Sequence, residues 1–200
     1  MINDASADRR TITGNYFEDF SLGQQIVHAT PRTVTVGDVS LFTALYGSRF
    51  AVQSSDAFAK SIGYPQAPID DLLVFHMVIG KTVPDISRNA IANLGYAEFR
   101  FLKPVYPGDT LASTSEVIGL KENSNKKSGT VYVRSTGRNQ HGEPVLSYAR
   151  WVMVNKRDEN SPAPDPVVPK LASSVDPDSL GAALPKLNLK VYDYALAGSK

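Results

Sequence analysis

The stretch Pro68-Ile-Asp-Asp-Leu-Leu-Val-Phe-His-Met-Val-Ile-Gly-Lys-Thr-Val-Pro84 decides the fold of this chain. Most side chains in Leu72–Val83 are apolar and do not keep to one helical face, which predicts a helix buried on nearly all sides. Asp70 and Asp71 offer an N-cap oxygen and negative charge at the helix start, and Pro84 is expected to end the helix. A pair of buried strands is the alternative, but the length of the run favours a helix.

The composition excludes several classes of function. With 200 residues, 42% hydrophobic and 20% charged, the chain is typical of a soluble globular protein. A net charge of +1 gives no electrostatic case for nucleic acid or membrane partners. The absence of cysteine excludes disulfides, thiolate catalysis and cysteine zinc sites. The polar N-terminus predicts no signal peptide and no apolar run is long enough to span a membrane, so we expect a cytoplasmic protein.

The residues before the central stretch predict short strands and helices. The expected elements are strands at Gln25–Thr30 and Arg32–Val36, a helix at Val39–Tyr46 ended by Gly47, a loop at Ser48–Ser55 and a helix at Asp56–Ile62 ended by Gly63. Thr35 or Asp38 can cap the first helix.

Four strands are predicted after the central stretch, in a meander, and the last two form a hairpin across residues 140–143. They are expected at Tyr96–Lys103, Thr110–Lys121, Thr130–Asn139 and Pro144–Val154. Antiparallel strands wrapped around one helix form an α+β fold, and their open edges predict a dimer. We expect a flexible N-terminus at residues 1–14, one domain at residues 15–157, and a proline-rich linker and C-terminal tail at residues 158–200.

Three motifs resemble the MaoC-like hot-dog dehydratase/hydratase family. They are the opening arm at Tyr16–Gly23, the segment Arg32–Phe42 and the strand-turn-strand signature at Phe101–Leu111. Further similarity, at residues 46–51, 67–70, 80–86 and 150–154, is to the N-terminal half of the double-hot-dog mesaconyl-CoA hydratase (β-methylmalyl-CoA dehydratase) group. The resemblance implies a hot-dog fold, with an antiparallel sheet wrapped around one long central helix. It also implies an acyl-CoA substrate, no cofactor beyond the CoA thioester, and a homodimer or pairing with a catalytic hot-dog domain.

The catalytic loop of that family is degenerate in this chain. The family pattern Gly-Asp-x-Asn-Pro-x-His corresponds to Gly47-Ser-Arg-Phe-Ala-Val-Gln53. Ser48 stands at the position of the Asp and Gln53 at that of the His, and neither side chain titrates near neutral pH. The resemblance therefore implies a half that binds or shapes the acyl-CoA pocket and is weakly active or inactive alone.

The remaining candidates for a site are few. Asp71 and His76 are weak catalytic candidates, because capping favours the first and core packing the second. Arg49 could reach a substrate carboxylate or a CoA phosphate. The predicted substrate-binding residues are Arg49, Phe50, Gln53, Asp70 and Asp71. The three histidines His28, His76 and His141 share no metal-binding spacing, so no metal site is predicted.

Two other functions stay open. The first is a free-standing acyl-CoA thioesterase or hydratase that uses Asp56 or Asp71. The second is a non-catalytic assembly subunit that holds an acyl-CoA. The loop Lys121–Lys127 could contact CoA phosphates, although a solvated loop is the simpler interpretation.

Overall fold

A computed structural model describes residues 13–47, 50–179, 186–188 and 190. Most of the predicted flexible N-terminus, Ser48, Arg49 and most of residues 180–200 lie outside these ranges. Within them, the α-helices are α1 Val36–Tyr46, α2 Ala51–Ser54, α3 Asp56–Ile62 and α4 Asp71–Thr82. The strands are β1 Gln25–Val27, β2 Arg32–Thr33, β3 Ala90–Phe101, β4 Thr110–Glu122, β5 Ser128–Arg138 and β6 Pro144–Asn155. Short 3₁₀ turns lie at Phe17–Asp19 and Pro177–Ser179.

The strands form one antiparallel sheet in the order β1-β4-β5-β6-β3, with β2 also paired to β4. The expected four-strand meander is wrong. Only β4, β5 and β6 follow each other as neighbours, whereas β3 pairs with β6 at the far edge. The segment after β3 therefore crosses the end of the sheet instead of making a tight turn, and Gly108 takes a positive φ of 99° there.

The central helix forms as predicted, over Asp71–Thr82. The carboxylate of Asp70 accepts a hydrogen bond from the amide of Leu72 at 2.8 Å, which is the predicted N-cap. Val74 and Val78 face the sheet and are buried. The predicted burial on nearly all sides is wrong for this chain, because Leu72 is 56% exposed on the opposite face.

Pro84 does not end the helical path. Val83–Ser87 continues it as a π-helix, and Val83 keeps right-handed helical angles in spite of the following proline. Proline lacks the amide hydrogen needed for an α-helical bond, and the wider π turn is a way of continuing past it. The π turn buries Ile86 fully beneath the helix end.

The helix lies close to the sheet because a glycine faces it. A Cβ built on Gly137 would lie 2.6 Å from Cγ2 of Val78, closer than real Cβ contacts allow. Around this contact, one buried cluster includes Leu73, Val78 and Tyr148. A second cluster beneath the π turn includes Phe17 and Ile86.

The N-terminal arm and the C-terminal segment both pack on the body. The ring of Phe17 lies 2.2 Å from the position of a Cβ on Gly129. The backbone of Val167 forms two hydrogen bonds with Leu120 on β4, at 2.8 and 2.9 Å. Farther along, the amide of Asn188 donates to the carbonyl oxygen of Ile62 at 2.8 Å, so the segment after the sheet returns to the helical layer.

Other elements differ from the sequence prediction in detail. Helix α1 begins at Val36, capped by Thr35 and its capping box with Asp38, so the predicted second strand is reduced to β2. Residues 51–54 of the predicted loop form the short helix α2.

Among the described residues, no helix is long and apolar enough to cross a membrane, and no group of three or more potential ligands is arranged to hold a metal ion.

Candidate functional site

A cleft of about 530 Å³ opens at the N-terminus of the central helix. Helix α2, the start of α4 and the end of β3 form its walls. The lining residues are Phe50, Val52, Gln53, Tyr64, Pro68, Asp71, Phe101, Leu102, Lys103 and Pro104. The amides of a helix N-terminus favour negative charge, and here the carboxylate of Asp70 and the adjacent Asp71 supply it.

The two adjacent aspartates at the helix start have different roles. Asp70 caps the helix through its carboxylate and is occupied by the amide of Leu72. Asp71 lines the cleft instead. The surrounding protein atoms and the neighbouring Asp70 raise the pKa of the Asp71 carboxyl to about 6, because both effects disfavour the carboxylate.

Three residues of the degenerate loop line this cleft, namely Phe50, Val52 and Gln53. Phe50 is the N-cap residue of helix α2, and Gln53 lies within that helix. The side-chain oxygen of Gln53 is buried and, among the described residues, accepts no hydrogen bond. A ligand hydroxyl or a water molecule could donate to it, but an amide cannot accept or release a proton near neutral pH.

His76 and Asp56 do not join the cleft lining. The prediction of a packed core His76 is wrong, because its imidazole lies exposed at 5.9 Å from the ring of Phe42 and 6.4 Å from that of Tyr46. It lies beside a second, shallower cavity of about 290 Å³ between α1 and α4. Asp56 accepts a hydrogen bond from the amide of Ala67 at 2.8 Å, so it holds the segment leading into α4.

Lys103 and Tyr64 belong to the cleft but were not predicted. Lys103 pairs with Glu143 across the hairpin turn, and both side chains are exposed, so the pair contributes little to stability. The position of Lys103 inside the strand-turn-strand motif was the only available signal. Burial raises the pKa of the Tyr64 phenol, which therefore stays a neutral hydroxyl.

The Lys121–Lys127 loop lies far from the cleft. It joins β4 to β5 at the end of the sheet opposite Phe101 and Lys103, and β4 itself has 13 residues, a length of about 40 Å. The loop lysines Lys126 and Lys127 are exposed. The interpretation of a solvated loop fits this position better than a phosphate contact near the cleft.

A family model described as mesaconyl-CoA hydratase matches residues 4–186. The chain belongs to the mesaconyl-CoA hydratase family. It is 62% identical over 190 residues to the β-methylmalyl-CoA dehydratase of Chloroflexus aurantiacus, with 95% of this chain and 54% of that protein covered. It is 59% identical to the mesaconyl-CoA hydratase of Cereibacter sphaeroides, covering 94% of this chain and 55% of that protein. The chain thus spans about half the length of the curated relatives it matches.

Solved structures agree with this family and its fold. A MaoC domain protein dehydratase from Chloroflexus aurantiacus matches with a TM-score of 0.87 at 59% identity, covering 98% of this chain and 54% of that one. A Mycobacterium tuberculosis protein described as having a double hot-dog fold matches with a TM-score of 0.67 at 29% identity, covering 87% of this chain and 52% of that one. The predicted α+β hot-dog fold and the resemblance to MaoC-like proteins are confirmed.

Proposed function

We propose that this chain is one hot-dog half of a short-chain acyl-CoA hydratase/dehydratase of the mesaconyl-CoA/β-methylmalyl-CoA type. In this proposal it binds or shapes the acyl-CoA pocket, and a second hot-dog supplies the catalytic acid and base. The single observation that carries the proposal is the cleft at the N-terminus of α4, which Gln53 lines. The sequence comparison aligns Gln53 with the family's histidine. No cofactor beyond the CoA thioester is needed.

The chemistry explains why such a half would be inactive alone. Hydration of an enoyl thioester needs a group that removes a proton from water and a donor for the thioester oxygen. The amides of Leu72, Leu73 and Val74 at the start of α4 already donate to Asp70, so the donor for the oxygen would come from the amide of Asp71 or from the other half. Gln53 can orient water or an acyl oxygen by hydrogen bonding, but it cannot act as the base. Ser48, at the other degenerate position, lies outside the described residues.

The exposed apolar surface supports pairing with a second unit. Leu41 and Leu45 on α1 are 61% and 67% exposed, and Leu72 on α4 is 56% exposed. On the edge strand β3, Ile91 and Leu94 are exposed as well. Large apolar side chains grouped on one helical layer mark interaction surfaces, and an open strand edge favours continuation of the sheet. A second hot-dog unit would cover both the apolar helical layer and the open edge of β3.

Complementation tests this proposal directly. The purified chain is assayed for hydration of mesaconyl-CoA, alone and after mixing with the remaining half of the Chloroflexus aurantiacus dehydratase. We expect no turnover alone and measurable turnover in the mixture. Full turnover by the chain alone would refute a non-catalytic half. Absence of complementation, combined with no binding of mesaconyl-CoA in calorimetry, would refute the pocket-shaping role.

The variant Gln53→Ala separates binding from assembly. Because Gln53 lines the cleft, its removal should weaken binding of the thioester without changing association with the other half. The matched control is Gln25→Ala, which makes the same substitution in the exposed strand β1 and should leave both properties unchanged.

A second candidate function rests on Asp71. A carboxyl in the cleft with a pKa of about 6 is in the range of a general base or acid near neutral pH. A free-standing hydratase or thioesterase that uses Asp71 would turn over acyl-CoA by itself, with a rate that rises through pH 6. Loss of that activity in Asp71→Asn would support this function, and an unchanged rate would exclude it.

A further inference from the structure

A buried chain of hydrogen bonds runs from β1 to the middle of the sheet, outside the cleft. His28 follows β1, and its side chain has no exposed surface. Its Nδ1 lies 2.6 Å from Oδ2 of Asp85, and its Nε2 lies 2.8 Å from Oγ of Ser115. Ser115 in turn lies 2.7 Å from Oγ of Ser135. Four side chains from four segments are therefore linked in one row.

The order Ser115–His28–Asp85 has the connectivity of a hydrolytic triad, but the position excludes that role. Ser115 is 2% exposed, and its oxygen also contacts Ser135. A substrate carbonyl cannot reach an oxygen enclosed between a helix and a sheet. These hydrogen bonds therefore stabilise the protein and do not contact a substrate.

The row holds two segments to the sheet. Asp85 lies in the π turn that follows α4, and its carbonyl oxygen accepts a hydrogen bond from Nδ2 of Asn15 at 2.8 Å. Asn89, just after the turn, donates to the carbonyl oxygens of Thr13 and Asn15 at 3.0 and 3.2 Å. The contact between His28 and Asp85 thus ties the π turn, and through it the N-terminal arm, to β1 and β4.

The proton on His28 is fixed by its partners. An ionised carboxylate only accepts hydrogen bonds, so Nδ1 of His28 donates to Asp85. In the neutral ring, Nε2 then accepts the hydroxyl proton of Ser115, whose oxygen accepts from Ser135. All contacts of the row are satisfied with a neutral imidazole. A second proton on the ring would force the Ser115 hydroxyl to turn away.

The charges around the ring also oppose protonation. Arg150 on β6 is 2% exposed, and its Nε and Nη2 have no hydrogen-bond partner among the described residues. Tyr148, also on β6, is buried, and burial raises the pKa of its phenol, which stays neutral. Among the described residues, the charged groups that act on His28 are Asp85 and Arg150, one of each sign. Burial lowers the pKa of His28. Asp85 opposes this change, and the repulsion of Arg150, which is the weakest of these effects, adds to it.

We propose that His28 is a latch that holds the π-helical end of α4 and the N-terminal arm against the sheet, and that protonation of its ring in mild acid opens this latch. The imidazolium would add a second buried cation near the guanidinium of Arg150, whose Nε and Nη2 have no hydrogen-bond partner among the described residues. Asp85 supplies one negative charge against these two cations, and a buried net charge is costly. Separation of the π turn from the sheet lets water reach both groups and removes that cost. The helix N-terminus and the cleft stay in place, because their hydrogen bonds lie at the other end of α4.

Hydrogen exchange as a function of pH tests the latch on the full chain. After correction for the intrinsic rate, amides of residues 13–20 and 83–89 should lose protection as the pH falls from 7 to 5. One proton taken up on opening raises the opening equilibrium by at most about tenfold per pH unit, starting below about pH 6.5. Amides at the N-terminus of α4 should not respond.

The variant His28→Asn keeps an amide donor for Asp85 but cannot titrate, so its exchange in these segments should not depend on pH in this range. His141→Asn is the matched control, since it makes the same change in an exposed turn, and it should behave as the unaltered chain. If His28→Asn does not fold, NMR titration of the His28 ring in the unaltered chain measures its pKa and tests the proposal instead. A pKa of His28 at or above the ordinary value of about 6.5, or exchange that stays independent of pH, would overturn the proposal.

Discussion

The close contact between Gly137 and Val78 makes a sharp prediction for Gly137→Ala. The new Cβ would lie 2.6 Å from Cγ2 and 3.2 Å from Cγ1 of Val78. Ordinary carbon contacts begin near 3.5 Å, so the strand and the helix must separate by close to 1 Å or Val78 must leave its rotamer. Neither adjustment is easy, because Val78 is fully buried in a densely packed core.

The magnitude follows from two opposing effects. Overpacking of a core costs about 1–3 kcal/mol. Replacing glycine in a strand recovers about 0.5–1 kcal/mol, because alanine loses less backbone entropy on folding. The difference between the two ranges is about 0–2.5 kcal/mol. Because Val78 is fully buried and cannot easily move, we expect Gly137→Ala to lower the free energy of unfolding by about 1–2 kcal/mol.

Urea denaturation of the variants measures this change. Gly80→Ala is the matched control, because Gly80 lies on the exposed face of the same helix with nothing within 4 Å of its Cβ position, and it should stabilise the chain by about 0.5–1 kcal/mol. The double variant Gly137→Ala with Val78→Ala should be more stable than the sum of the two single changes predicts. A Gly137→Ala chain as stable as the unaltered one, or a strictly additive double variant, would refute the contact.

Three further predictions concern the arm, the cleft and the exposed helical layer. Phe17→Ala should cost about 3–5 kcal/mol of unfolding free energy, because the ring is fully buried against Gly129; a loss below about 1 kcal/mol in urea denaturation would contradict this packing. The carboxyl of Asp71 has its pKa raised from 3.8 to about 6, so the folded state holds the proton more tightly and stability should fall as the pH rises from about 4 to about 6. Asp71→Asn should remove that slope in thermal unfolding, with a gain at pH 7 of no more than about 1 kcal/mol after solvent screening. Leu45→Glu should leave unfolding within about 0.5 kcal/mol, since the side chain is 67% exposed, but it should abolish complementation by the catalytic half in the hydration assay.

The central helix was predictable because its signals are local. The cap at Asp70 and the apolar run that follows depend on neighbours within one or two turns, and the structure reproduces both. The stop at Pro84 is local as well. The α-helix ends at Thr82, but a π turn over Val83–Ser87 continues its path. Burial of Ile86 and the bond from Asp85 to His28 stabilise a π turn that neither proline nor the preceding residue favours alone.

The candidate site was predictable only in part. The loop comparison pointed to Gln53 and Phe50, and both face the cleft. The division of roles between Asp70 and Asp71 could not be read from two identical adjacent residues, because it depends on which carboxylate turns back to the helix amide. Lys103 and Tyr64 reach the cleft from segments far apart in the sequence, so no spacing rule joins them to the start of α4.

The sequence by itself determined the kinds of elements in this protein and the family to which it belongs, because periodicity, caps and turns are set by residues close together in the chain. Only the tertiary structure decided that β3 pairs with β6 and not with β4. The same holds for the buried row around His28 and the exposed position of His76. Strand order, burial and charge pairing depend on contacts between distant segments, and their energies are fixed by what each side chain meets after the chain has folded.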